Sequence, residues 1–230
     1  MYSWGKIFLQ ILLFATIVKP LKADVLTDKC NEMYRANPPE IKVIYNYGKL
    51  KYDTGKSDEE LANLYKKVSN ETASDKIQGL TYLAPHITTV VVADTKMLDS
   101  RKFCFYPKEI EIKMWYEPTV YIAKSLKVGS CRFNTVVRHE QTHLDLGHHA
   151  LYMLAKSIKK EMPVILNKVT PLVENVDTLD GGKSVREMTD KYQEQVKVYF
   201  DDFKKNLEKY NKVIDAHENY VAETKLCDEN

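Results

Sequence analysis

Four of the chain's six histidines lie within eleven residues, His139-Glu-Gln-Thr-His-Leu-Asp-Leu-Gly-His-His149. The first five of these form an HExxH motif. Positions four apart on an α-helix differ by about 40° around its axis, so the imidazoles of His139 and His143 point the same way and can share one metal ion. Imidazole nitrogen suits Zn²⁺, which in catalytic sites takes three protein ligands and keeps a position open to water. Glu140 lies about 100° round from His139, within reach of that water rather than of the metal, which is where a general base belongs. The expected cofactor is therefore Zn²⁺, with His139 and His143 as ligands and Glu140 as the catalytic residue.

Two histidines leave the zinc one protein ligand short, and three sources of a third are open. His149, six residues after His143, echoes the longer signature HExxHxxGxxH, although the glycine of that signature falls on Leu146 and this chain has Gly147. On an unbroken helix His149 sits about 240° from His143 and points elsewhere. Leu151, Leu154 and Ile158 do keep the helical period past Gly147. Acids of later segments, Glu161, Glu174, Glu187 and Asp190, form a second source that nothing ranks. His217 is the third. Val196, Phe203, Tyr210, His217 and Thr224 recur every seven residues, which puts His217 on an inward stripe of the last helix. His217 is the expected third ligand, and His149 takes its place if Gly147 breaks the helix. Asp145, about 200° from His143, reads as a structural residue.

The elements that must hold this motif divide the chain in two. Residues 24–125 are strand-rich. Ile41 to Lys51 and the β-branched Thr81 to Ala93 read as strands, and Ile110, Ile112 and Met114 alternate with charged neighbours at the period of a half-buried strand. Thr119 to Lys124 reads as a further strand after a Pro118 turn, placed to align an extended substrate by edge pairing. Ser57 and Glu60 form a capping box that opens a short helix. From Ser130 the period turns helical, and residues 130–230 make the second half. One helix runs to about Glu161, before Pro163, and a shorter helical piece ends at Gly181-Gly182. Ser184, with Glu187 three residues on, caps a final helix of up to about 40 residues, which at 1.5 Å each must bend, fray or project.

Length and charge narrow the partners. The 230 residues contain 34 basic and 32 acidic side chains. Lys6, Lys19 and Lys22 belong to an N-terminal stretch, and without them 31 basic residues face 32 acidic ones, a net charge of −1. Such a balance offers nucleic acid no electrostatic footing. No Gly-rich phosphate loop, CxxC pair or internal repeat is present. Residues 1–23 read as a signal peptide: Lys6 supplies the positive start, Ile7 to Val18 the apolar run, and Ala23 the small residue before cleavage. That run is too short for a membrane span, which needs about 20 residues, so no stable membrane association is expected after cleavage. Cys30, Cys104, Cys131 and Cys227 all follow it, an even number that suits two disulfides in a secreted or periplasmic protein. Spacing does not choose among the three pairings.

From Tyr45 to Cys227 the chain resembles the predicted secreted zinc-dependent proteases of bacteria, a family catalogued as a domain of unknown function. The resemblance rests on Asp58 to Leu64 with Gly79-Leu-Thr-Tyr82, on His139-Glu-Gln-Thr-His-Leu-Asp145, and on Tyr220-Val-Ala-Glu-Thr224. The last looks like the family's closing Tyr-Asp-x-x-Thr-x-His-Gly, whose Asp, His and Gly correspond here to Val221, Leu226 and Cys227. This ending implies that the last helix finishes beside the metal, which favours His217. The resemblance also implies a zincin-like α+β fold, with a small antiparallel or mixed sheet packed on the HExxH helix and a long C-terminal helix after it. The expectation is a single domain over residues 24–230, monomeric, hydrolysing peptide or protein substrates. The alternative is an inactive zinc-binding protein or a helical interaction module on the same fold.

Overall fold

The computed structural model describes residues 25–69, 76–225 and 227, leaving aside the side chains of Thr178, His217, Tyr220 and Thr224. The expected signal peptide lies outside the described residues. The chain runs α1 (Val25–Ala36), β1 (Glu40–Asn46), β2 (Lys51–Asp53), α2 (Asp58–Ser69), β3 (Gly79–Met97), β4 (Lys102–Ile122), α3 (Cys131–Lys168), β5 (Leu172–Asn175), α4 (Gly181–Ile214) and α5 (His217–Lys225).

The fold is mixed α+β, built around β4. β3 pairs antiparallel along almost the whole of β4. The other side of β4 is shared by three shorter strands: β5 antiparallel at Lys102–Phe105, β1 parallel at Glu109–Trp115, and β2 parallel at Thr119–Tyr121. The sheet is therefore mixed and not antiparallel throughout. Residues of β4 alternate between faces, and Ile110, Ile112, Met114, Tyr116, Val120 and Ile122 are buried on one of them. Over that face lie Leu144, Leu151, Leu154, Ile158, Met162 and Ile165 of α3 and Met188, Tyr192, Val196, Phe200, Phe203 and Leu207 of α4. Their spacings of three, four and seven are those of a helix stripe turned to a core. Full burial of each such side chain is worth about 1.5–3 kcal/mol, enough to seat α3 firmly beneath the strands.

Several sequence expectations are corrected by this packing. Pro118 makes no turn, because β4 runs straight through it. It falls in the interval between the end of β1 pairing at Trp115 and the start of β2 pairing at Thr119, where the ladder on that side is interrupted. The loop there turns through Gly48 at φ 72°, and a Cβ on Gly48 would strike the Tyr116 carbonyl. Thr119–Tyr121 is also no edge: β2 and β3 flank it on both sides, so it offers no free ladder to a substrate. α3 continues past Pro163 to Lys168, since buried Met162 and Ile165 hold its last turns on the core against the roughly 3 kcal/mol that an internal proline costs.

The segment before α4 holds β5 and a 3₁₀ turn at Val176–Thr178 rather than a helical piece. α4 is capped by Asp180, whose Oδ1 accepts from the Lys183 amide, and not by Ser184, which is buried with its hydroxyl donating to Glu174 Oε1. The final helix is not continuous. It breaks at Asp215–Ala216 into α4 and α5. Its seven-residue stripe is buried at Val196 and Phe203 but emerges at Tyr210, which is exposed. Two disulfides pair Cys30 with Cys104 and Cys131 with Cys227. Among the described residues no helix is long and apolar enough to cross a membrane.

Candidate metal centre

α3 begins at Ser130, whose hydroxyl accepts from the Phe133 amide, and its first turns carry Val136 and Leu144 into the core. With those residues turned to the sheet, His139 and His143 fall on the adjoining flank, both buried. The break between α4 and α5 brings Asp215 opposite them. Asp215 Oδ1 lies 3.1 Å from His139 Nε2 and 2.8 Å from His143 Nε2, and the two nitrogens are 3.2 Å apart. Bonds of 2.0–2.1 Å to one tetrahedral ion would separate its ligand atoms by roughly 3.3 Å, so the three donors stand close to the spacing that such an ion requires.

The far nitrogens decide what these donors are. His139 Nδ1 is 3.1 Å from Glu223 Oε2, and His143 Nδ1 is 3.0 Å from Asn211 Oδ1. A carboxylate oxygen and an amide oxygen only accept, so each ring donates from Nδ1 and presents its Nε2 to Asp215. A protonated ring donates to Asp215 from that Nε2; once the proton leaves, two Nε2 lone pairs and a carboxylate oxygen stand within 3.2 Å of one another, a donor set for a positive ion. His139, His143 and Asp215 can thus hold a metal ion. Outer partners on the Nδ1–H groups are what ligating histidines usually have.

Asp215 also favours positive charge on the two imidazoles. Burial alone would lower the His143 pKa, but the hydrogen bond and charge of Asp215 push it up to about 9. Burial works against ionising Asp215, yet hydrogen bonds from His139 and His143 hold its carboxyl down at about 2. His139 is raised as well, its burial outweighed by Asp215 and by the charges of Glu140 and Glu223.

Glu140 packs against β3. Only 4% of it is exposed, and its Oε2 accepts from Thr81 Oγ1 of β3 at 2.8 Å. Burial pushes its carboxyl above the usual range, against the pull of the two imidazoles. Gly79 of β3 leaves the room: a Cβ there would overlap Glu140 Oε1 and stand 2.6 Å from Val136 Cγ1.

The other candidates do not join the cluster. α3 carries His148 and His149 past Gly147 without a break. His149 is exposed, and His148 stacks on Tyr47 with ring centroids 4.2 Å apart. Glu174 accepts from Ser184, Glu187 pairs with Lys191, Asp190 is exposed, and Glu161 lies on the far half of α3. Asp145 accepts from Gln141 on the helix surface. The side chain of His217 lies outside the described residues; its backbone opens α5 two residues beyond Asp215.

Sequence reasoning missed Asp215, Asn211 and Glu223. A signal existed in their spacing: Asn211, Asp215, Asn219, Glu223 and Cys227 recur every four residues, as do Cys131, Thr135, His139 and His143. No family model, curated protein or solved structure matches the chain.

Proposed function

We propose that the protein is a secreted or periplasmic zinc-dependent peptidase of the zincin kind, akin to the predicted secreted zinc proteases that its motifs resemble. The observation that carries this reading is the convergence of His139 Nε2, His143 Nε2 and Asp215 Oδ1, both rings being fixed from behind by Glu223 and Asn211. Two histidines and a carboxylate, with the histidines at helical spacing and a glutamate between them, are the donor set of hydrolytic zinc. Asp215 is about half exposed, which leaves the cluster a side open to substrate. The two disulfides suit an oxidising compartment.

His139, His143 and Asp215 would hold the zinc, which when bound would lower the pKa of water and polarise a scissile carbonyl. Glu140 would act as the base toward that water and return the proton to the leaving amine. Thr81 orients that carboxylate through Oε2. Metal analysis of the mature protein, followed by a broad peptide library, tests the assignment. Glu140→Gln should keep zinc and lower turnover roughly 10²–10⁴-fold. Zinc loss in that variant would make Glu140 a ligand, and iron in place of zinc would count against hydrolysis, since the same donor set also serves iron(II). One observation favours a non-catalytic metal protein: Glu140 lies sealed under Thr81 and Gly79. A wild-type protein that binds zinc and cleaves nothing would establish that second reading.

A further inference from the structure

The groups behind the two imidazoles come from the last two helices, Asn211 from α4 and Glu223 from α5, and a disulfide ties the segment after α5 to α3. Among the described side chains of α5 none is buried. The helix lies against the start of α3 as one row of side chains against another. Cys131, Thr135 and His139 stand four apart on α3, and Glu223 and Cys227 stand four apart at the end of the chain. Cys131 is bonded to Cys227, Thr135 Oγ1 is 3.4 Å from Cys227 Sγ, and His139 Nδ1 is 3.1 Å from Glu223 Oε2. The disulfide therefore sits four residues from Glu223 on one side, just beyond the end of α5, and two turns of α3 from His139 on the other.

We propose that the segment after Asp215 is a disulfide-clamped brace of the metal centre, in which Glu223 is the positioning residue for His139 and the Cys131–Cys227 bond holds Glu223 against it. This rests on the metal reading of His139, His143 and Asp215. An imidazole with a carboxylate behind Nδ1 is fixed in ring orientation and tautomer and is a stronger base toward the ion; losing such an outer partner typically weakens metal affinity 10–100-fold. Opening the clamp acts through the same hydrogen bond. Without it the end of α5 leaves α3, and His139 loses Glu223 while the three ligands themselves remain.

The test is zinc affinity of the mature protein, measured by competition with a chromophoric chelator, together with the visible absorption of the Co²⁺-loaded form. Glu223→Gln and the Cys131→Ser/Cys227→Ser pair should each weaken zinc 10–100-fold and change the Co²⁺ bands. Glu223→Asp should recover part of the loss. The combined triple variant should be no weaker than the serine pair, because both changes remove one interaction. Wild-type affinity in either variant, or losses that add, would overturn the clamp. Glu223 is partly exposed, so Glu223→Gln decides the matter even if the serine pair does not fold. A wild-type protein that takes up no zinc would fail differently: it would remove the metal reading itself, and the clamp with it.

Discussion

Metal binding should be strongly proton-coupled, and the site sets the size of the effect. In the metal-free protein His143 titrates at about 9, because Asp215 outweighs the cost of burial. At pH 7 that ring is protonated in all but about one molecule in a hundred, and an ion must first displace the proton. At roughly 1.4 kcal/mol per pH unit the displacement costs about 2.7 kcal/mol, or 100-fold in affinity. Apparent zinc affinity should therefore rise about tenfold per pH unit from 7 to 9 and level off above that. Calorimetry at pH 7 in two buffers of different ionisation enthalpy should show at least one proton released per metal bound. Stability of the metal-free protein should move the other way. A histidine whose folded pKa exceeds its unfolded value of about 6.5 contributes stability that is complete below pH 6.5 and is lost as pH rises through 9, here about 3 kcal/mol. Thermal unfolding of metal-free protein should shift down across that window. Affinity that stays flat from pH 7 to 9 with no proton release would refute the assignment of His143 as an Asp215-paired ligand.

Two further outcomes follow from the packing around the centre. Gly79→Ala should lower the melting temperature by the equivalent of about 1–3 kcal/mol, the usual cost of overpacking, because its Cβ overlaps Glu140 Oε1 and crowds Val136; an unchanged melting temperature would mean that β3 does not press on Glu140 as described. Replacing Cys30 and Cys104 by serine should cost about 2–5 kcal/mol of stability in denaturant titration yet leave zinc affinity unchanged, since that disulfide ties α1 to β4 away from the metal.

Much of the site was legible because its spacing is local. His139, Glu140 and His143 occupy known angles on any helix that contains them, and Val136, Leu144, Leu151 and Ile158 mark the buried side of that helix without reference to the rest of the chain. The alternation of Ile110, Ile112 and Met114 likewise announced a strand with one buried face. Local rules failed where a neighbouring element overrode them. Pro118 reads as a turn in isolation, yet it is tolerated in β4 because the flanking ladder happens to be interrupted beside it. Pro163 reads as a helix end, yet the buried side chains around it keep α3 intact.

The sequence alone thus determined a helix with two imidazoles on one face and an acid beside them, and four cysteines open to three pairings. Which acid meets the two imidazoles was decided by the tertiary structure. Asp215 lies 72 residues from His143, and apart from its four-residue spacing with Asn211 and Glu223 nothing near it in sequence sets it apart from the other acids of the helical half. It reaches the imidazoles because α4, seated on the sheet by Met188, Tyr192, Val196 and Phe203, ends opposite the first turns of α3. The choice of Cys227 for Cys131, and of Glu223 for His139, follows from the same placement. Helical and strand periods depend on residues a few positions apart and so are written in the sequence, whereas the meeting of two helix ends depends on the summed packing of everything between them.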